Sequence, residues 1–350
     1  MKIAFTADLH LTTQEKNPER FQTFNNILSS LPGLGIEHLV IAGDLFDRYQ
    51  DNYTDFEIIC KKHTHTNLHV IPGNHDPGIS SKAISAENVQ IYTQPELVQM
   101  DESGLLFLFL PYQENKSMGE IIASYYQDFE EQAWILVGHG DYFGNLRYLN
   151  AYEEGIYMPL SRKDVQRFTP RRVILGHIHH PHEKEGVYYC GSPCGMDITE
   201  VGRRRFLILD TVSLEVVPYT VDSPFIYFDE VLTVLPVEDE RNYLVQKAKE
   251  RFKAWNISKD EFPKVRLRVR VNGYSADKSR LTEMVKEIFK DFHQVADPDL
   301  QRVSVSNDME RTAIALNIVK RIARLNWINE ANEPSSEKIF EHAMRIIYGA

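Results

Sequence analysis

His38-Leu39-Val40-Ile41-Ala42-Gly43-Asp44-Leu45-Phe46-Asp47 (residues 38–47) joins an unbroken apolar run to a glycine and an acid. Such a run, bounded by a turn signal, reads as a strand buried on both faces. Gly43 permits the tight turn that presents Asp44, whose two carboxylate oxygens could bridge a pair of cations. The pattern recurs on either side of this segment. Apolar runs cover Ile3 to Ala7, Leu68 to Ile71, Leu105 to Leu110, Trp134 to Val137, Val173 to Leu175, Val187 to Tyr189 and Phe206 to Leu209. Between the first run and Leu39, the residues Phe21, Phe24, Ile27, Leu28 and Leu31 recur at helical spacing until Pro32-Gly33 stops them. Strand-like runs alternating with helix-period segments predict an α/β domain up to about Val221.

Polar residues fall directly after these runs: Asp8 and His10, Asp44, Asn74, His139, and His177 with His179. In open α/β sheets, ligands gather outside the carboxyl ends of the strands, so separate segments can deliver side chains to one place. Asp8-Leu9-His10 puts two ligand types on alternate residues of an extended segment, where both can point to one side. Gly73-Asn74-His75-Asp76, Gly138-His139-Gly140 and Gly176-His177-Ile178-His179 add an amide oxygen and further imidazoles. Any one of Asp8, Asp44 or Asn74 could simply end a strand as a turn or capping residue. All of them together, each at a strand end, read as a metal site.

Composition bounds the rest. The 350 residues suffice for more than one folded unit, and 43% hydrophobic with 25% charged residues is ordinary for a globular chain. Met1-Lys2-Ile3-Ala4-Phe5 runs straight into a strand-like segment, so no secretory leader is expected, and no apolar run approaches the ~20 residues that span a bilayer. Cys60, Cys190 and Cys194 cannot all pair, so a reducing cytoplasm is expected. Cys190 and Cys194 lack the further ligands a zinc site needs. The net charge of −11 speaks against a broad basic surface, although it leaves a local groove open.

After Ser223-Pro224 the character changes. Tyr243, Leu244, Ala248, Phe252 and Trp255 suggest a helix, and Val265, Leu267, Val269 and Val271 alternate with Arg266, Arg268 and Arg270 as in a half-buried strand. Leu281 to Phe292 forms a second amphipathic helix, and Leu300 to Ser306 a second strand. Helices over about 311–325 and 336–347 close the chain. The expected division is therefore 1–222, a small α/β domain at 223–308, and carboxyl-terminal helices at 309–350.

Taken in order, Asp8-Leu9-His10, Gly43-Asp44-Leu45-Phe46-Asp47, Gly73-Asn74-His75-Asp76, Gly138-His139 and Gly176-His177-Ile178-His179 resemble the signature of the calcineurin-like metallophosphoesterase superfamily. The resemblance implies a sandwich of two mixed β-sheets flanked by helices. It also implies two divalent metals, one held by Asp8, His10, Asp44 and His179, the other by Asp44, Asn74, His139 and His177. Mixed imidazole and oxygen donors without thiolate suit Mn2+, with Fe2+ or Zn2+ as alternatives. His75 would then act on the leaving oxygen, with Asp47 orienting it.

Tyr189-Cys190-Gly191-Ser192-Pro193, followed by Glu200-Val201-Gly202, is similar to the stretch after the last metal histidines in SbcD-type DNA double-strand-break nucleases. That likeness implies a DNA nuclease with a capping domain, acting as a homodimer beside an SMC-like coiled-coil ATPase. Arg48, Arg203, Arg204, Arg205, Arg266, Arg268 and Arg270 are the candidate DNA contacts. Each could equally be a surface or ion-paired arginine. A free-standing phosphatase or small-nucleotide phosphodiesterase is the rival reading. His63, His65, His69, His180 and His182 lie outside the signature and are expected to be solvated or packing residues.

Overall fold

The computed structural model describes residues 1–48, 52–129, 132–144, 153, 155–322, 324–325 and 336–349. The chain forms two compact units, Met1–Ile226 and Tyr227–Ala350.

Two six-stranded mixed sheets build the first unit. One is ordered Val216–Thr220, Arg205–Asp210, Lys2–Thr6, His38–Ala42, Asn67–Ile71, Val89–Ile91. The other runs His182–Lys184, Val187–Tyr189, Arg172–Gly176, Trp134–His139, Leu106–Leu110, Glu96–Gln99. Strand periodicity sorts the side chains. Ile3, Phe5, Val40 and Ala42 join Phe107, Phe109, Ile135, Val137 and Ile174 in the core between the sheets. Their neighbours Ala4, Leu39 and Ile41 turn the other way, under Phe21, Phe24, Ile27 and Leu28 of helix Pro18–Ser30 and Phe56 of helix Tyr53–Cys60. On the outer face of the second sheet, Leu108, Leu136, Val173 and Leu175 pack under Met118, Ile121 and Ile122 of helix Met118–Tyr125 and Phe168 of helix Arg162–Phe168. The unit is thus an α/β sandwich of two mixed sheets flanked by helices, and both faces of each sheet are covered. That covering explains why the runs are continuously apolar.

Lys2–Thr6, His38–Ala42 and Asn67–Ile71 run parallel, as do Leu106–Leu110, Trp134–His139 and Arg172–Gly176. The turns that follow Thr6, Ala42, Ile71 and Gly176 therefore leave their sheets from carboxyl ends, as does His139, the last residue of its strand.

In the second unit, Val265–Ser275 is the central strand. It is flanked by Ile226–Val234 and by the short strands His293–Gln294 and Val303–Val305. Val265, Leu267, Val269 and Val271 are buried, as their alternation with arginine predicts. Strand Ile226–Val234 was not expected from the sequence, because its buried face of Ile226, Phe228, Leu232 and Val234 is interrupted by Glu230. Phe252 and Trp255 of helix Glu240–Trp255 meet Phe292 tilted or edge-on, and Phe289, which caps helix Lys278–Ile288, meets Phe252 edge-on. Helices Met309–Ile322 and Ser336–Tyr348 share a core around Leu235, Tyr274, Ala315, Met344 and Tyr348. Ile318, Val319, Phe340, Ala343 and Ile347 pack against that core, whereas Ile314 is exposed. Among the described residues no helix is long and apolar enough to cross a membrane.

Candidate dimetal centre

Three of the turns that carry the site bend through backbone conformations that L-residues rarely adopt. Asp8, His10, Asp44 and His177 all have positive φ, between 45° and 90°. Such strain persists only where the surroundings impose it, and it concentrates at functional sites. Two glycines show how tightly the turns approach one another. A Cβ at Gly43, where φ is +92°, would lie 2.1 Å from His139 Nδ1, and one at Gly73 would lie 2.0 Å from Asp44 Oδ1.

All seven residues read as metal ligands converge. Asp8, His10, Asp44, His139, His177 and His179 are buried, and Asn74 is half-buried. His10 Nε2 and His179 Nε2 face each other at 3.1 Å. Asp44 Oδ2 lies 3.5 Å from His10 Nε2 and 3.3 Å from His139 Nε2. Asn74 Oδ1 sits 2.9 Å from His139 Nε2 and 3.1 Å from His177 Nδ1. Asp8 Oδ1 accepts from the His177 amide at 2.9 Å, while Asp8 Oδ2 is buried with no hydrogen-bond partner. A buried carboxylate oxygen without a donor is costly unless a cation compensates it.

Hydrogen bonds on the far side of each ring set what the near side offers. His139 Nδ1 donates to the Ala42 carbonyl at 2.9 Å, and His179 Nδ1 donates to Glu200 Oε1 at 2.7 Å. Each Nε2 is therefore the nitrogen turned toward the site, the ring orientation that a metal ligand requires. The Asn74 amide is oriented the same way. Its Nδ2 donates to Glu153 Oε2 at 2.7 Å, which leaves Oδ1 facing the histidines.

The imidazoles of the cluster are pushed in opposite directions. Burial opposes protonation of His139, but Asp44 and Asp8 outweigh it and raise its pKa to about 9. Burial and the neighbouring His139 instead push His177 down to about 3, which keeps that ring neutral. Ligand atoms of Asp8, His10 and His179 lie within 4.8 Å of one another, as do those of His10, Asp44 and His75, and those of Asp8, Asp44 and His139. The first group holds three of the four residues the resemblance implies for one metal. The other two groups mix residues from both implied sets or bring in His75. Donor chemistry, burial and the partnerless Asp8 oxygen together fit a metal-binding centre.

His75 stands at its rim. Its Nδ1 lies 3.2 Å from Asp47 Oδ1 and its Nε2 lies 2.9 Å from Glu153 Oε1. Carboxylates only accept, so both ring nitrogens donate and the ring is an imidazolium. Burial works against that charge, but Asp47 and Glu153 outweigh it and raise the pKa to about 10. Asp47 is also 3.8 Å from His10 Nδ1, which ties the acid to a ligand as well as to His75.

Several residues escaped the sequence reading. Glu153 touches His75, Asn74 and Arg48, yet it follows no apolar run and belongs to no motif. Asp76 clamps two ligand turns together by accepting from Phe46 N at 3.0 Å and Gly73 N at 2.7 Å. Glu200, quoted only as part of a motif, anchors His179 and also accepts from Ser192 Oγ at 2.5 Å. Burial opposes its ionisation, but His179 and Arg204 hold its pKa down at about 2. Substituting Glu200→Gln is expected to weaken metal binding about tenfold or more, measured by chelator competition, because outer partners of metal histidines act on this scale.

The arginine candidates separate. Arg204 is corrected: it is 3% exposed, donates to Ser192 O at 2.8 Å and lies 3.3 Å from Glu200, so it braces the His179 turn and cannot reach DNA. Arg268 and Arg270 both grip Asp229, with Nε contacts of 2.9 and 3.2 Å. Arg266 donates to the carbonyls of Pro263 and Val265, and Arg48 pairs with Glu153. Arg205 is half-buried, and Arg203 is exposed. The expected packing histidines include His69, which is buried between His38 and the Tyr92 hydroxyl.

Residues 1–208 match the family model described as calcineurin-like phosphoesterase. No match was found among curated proteins. Three solved structures are similar at low identity. The protein TT1561 of Thermus thermophilus is 10% identical, with 63% of this chain and 98% of that chain covered and a TM-score of 0.41. An archaeal phosphodiesterase is 15% identical, with 63% and 99% covered and a TM-score of 0.33. A dimetal phosphatase from Danio rerio is 9% identical, with 63% and 96% covered and a TM-score of 0.40.

Proposed function

The chain belongs to the calcineurin-like phosphoesterase family, and on that premise we propose that it is a two-metal DNA nuclease that processes broken or single-stranded ends in repair. The observation that carries catalysis is His75, held as an imidazolium between Asp47 and Glu153 at the rim of the histidine and carboxylate cluster. A scaffold that only bound partners would need no such acid. Two divalent cations, held by Asp8, His10, Asp44 and His179 and by Asp44, Asn74, His139 and His177, would supply Lewis acidity toward the phosphate oxygens. Mn2+ suits the donor set, with Fe2+ or Zn2+ as alternatives. Asp44 and Asp8 orient and charge the centre. Ala42 and Glu200 fix the ligand tautomers. His75 gives a proton or a hydrogen bond to the departing oxygen, and Asp47 keeps its ring in place.

DNA as the substrate is supported by the Tyr189 to Gly202 stretch and by the second α/β unit, both similar in kind to the SbcD type. On the same likeness the protein acts as a homodimer beside an SMC-like ATPase, in the reducing cytoplasm that suits the free Cys60, Cys190 and Cys194. One observation favours the rival, a small-nucleotide phosphodiesterase: Arg48, Arg204, Arg268 and Arg270 are held by carboxylates of this chain. The two readings separate in one experiment, in which end-labelled single- and double-stranded DNA and bis-p-nitrophenyl phosphate are incubated with manganese and the protein, with and without a co-purified ATPase. Cleavage of DNA that His75→Ala abolishes is expected; hydrolysis of the small ester alone would move the assignment to the rival.

A further inference from the structure

Beside the metal centre lies a cavity of about 450 Å³ lined by Tyr112, Asn115, Lys116, Ser117, Tyr157 and Met158, among others. It has the size of a small-molecule site. The cavity shares a wall with the centre, because the Tyr157 ring lies 4.8 Å from the ring of His177. Tyr112 lines the same cavity, its ring 6.2 Å from that of Tyr157 and inclined to it by 41°. Backbone bonds fix both tyrosines. The Tyr112 amide donates to Pro72 O at 3.0 Å, just before the turn that carries Asn74 and His75. The Tyr157 amide donates to Asp141 Oδ2 at 2.8 Å, and Asp141 N returns a bond to Tyr157 O.

We infer that this cavity receives an unpaired nucleobase of the substrate, stacked on Tyr112 and Tyr157, while the attached phosphodiester lies at the metal centre. The inference rests on the phosphodiesterase reading and names the substrate class for it. Two observations support stacking as the means of recognition. Two aromatic rings line a cavity that abuts a candidate ligand histidine. Four of the arginines that might have followed a phosphate backbone are held by this chain's own carboxylates, so a row of phosphate contacts is not what selects the substrate. Every base has a stackable face, and a base inside a duplex must leave its helix before it can use one. The substrate is therefore a nucleotide ester or a single-stranded terminus.

The test compares methyl p-nitrophenyl phosphate with the 5′- and 3′-p-nitrophenyl phosphodiesters of thymidine. All release the same group and differ in whether a nucleoside is attached. The wild type is expected to favour at least one thymidine ester by about tenfold or more in kcat/KM, the scale of base stacking on an aromatic ring. Tyr112→Ala is expected to remove most of that preference and Tyr112→Phe to retain it. The preference is a ratio within each variant, so a partly unfolded preparation does not alter it. A wild-type ratio near one, or a full ratio in Tyr112→Ala, would overturn the inference while leaving phosphodiester hydrolysis standing. Failure to hydrolyse any of the esters would remove the phosphodiesterase reading and the inference with it. Faster cleavage of an end-labelled single strand than of its blunt duplex would assign the base to a polymer. Hydrolysis of the thymidine ester without cleavage of either strand would assign it to a free nucleotide ester.

Discussion

Replacing His75 by alanine is expected to lower kcat for phosphodiester hydrolysis by about 10²- to 10⁴-fold, the range for a positioned general acid, while metal content stays at the wild-type value. The separation follows from where His75 sits. Its side chain contacts Asp47 and Glu153, whereas the turn that carries it is held by its backbone amide, which donates to Asp44 Oδ1 at 2.9 Å. Alanine keeps that amide, so Asp44 keeps its orientation. KM should move much less than kcat, since an interaction made chiefly in the transition state changes turnover more than binding. Steady-state kinetics alongside metal analysis of the same preparations checks both halves. A variant that lost its metal together with its turnover would place His75 among the ligands instead, a role that its approach to His10 and Asp44 makes worth testing.

Asp44→Asn is expected to act through the other half of the machinery. Asp44 is 1% exposed, and its Oδ2 is shared between His10 and His139, residues the resemblance assigns to different metals. Burial opposes its charge, but His139 and the other imidazoles hold its pKa well below the usual carboxylate range. The amide has the same shape, so the turn after strand His38–Ala42 is preserved, but one negative charge leaves the centre of the cluster. Loss of at least one bound ion should follow. Activity should fall by about three orders of magnitude or more, since a catalytic metal supplies several kcal/mol of transition-state stabilisation. Metal analysis after gel filtration, together with kinetics at saturating Mn2+, tests this. Wild-type stoichiometry and turnover in Asp44→Asn would remove Asp44 from its central role.

The ligand cluster was legible because parallel strands end together. Each apolar run announces a strand, and the polar residue directly after it is placed at the shared carboxyl edge without knowledge of any side-chain contact. Glu153 and Tyr157 could not be read this way, since their positions depend on how a connection returns across the sheet edge, which no period records. Tyr112 does follow a strand, but an aromatic residue there looks like core. Arg204 shows the opposite failure. Within Arg203-Arg204-Arg205 it looks like surface charge, and only the fold reveals that Glu200, four residues earlier, turns its guanidinium inward. Strand Ile226–Val234 has the same origin, because Glu230 breaks the apolar alternation of its buried face, while Asp229 on the other face answers Arg268 and Arg270 on the neighbouring strand. Local pattern thus locates elements and their ends. Groups that act between elements become visible only once those elements are packed.

Chelator-stripped protein should be titrated with Mn2+ while bound metal per chain and hydrolysis of bis-p-nitrophenyl phosphate are followed together. Hydrolysis should be absent in the stripped protein and should rise to saturation as two ions bind per chain. Undiminished hydrolysis after stripping, or an active protein saturated by a single ion, would contradict a dimetal phosphoesterase built on Asp44.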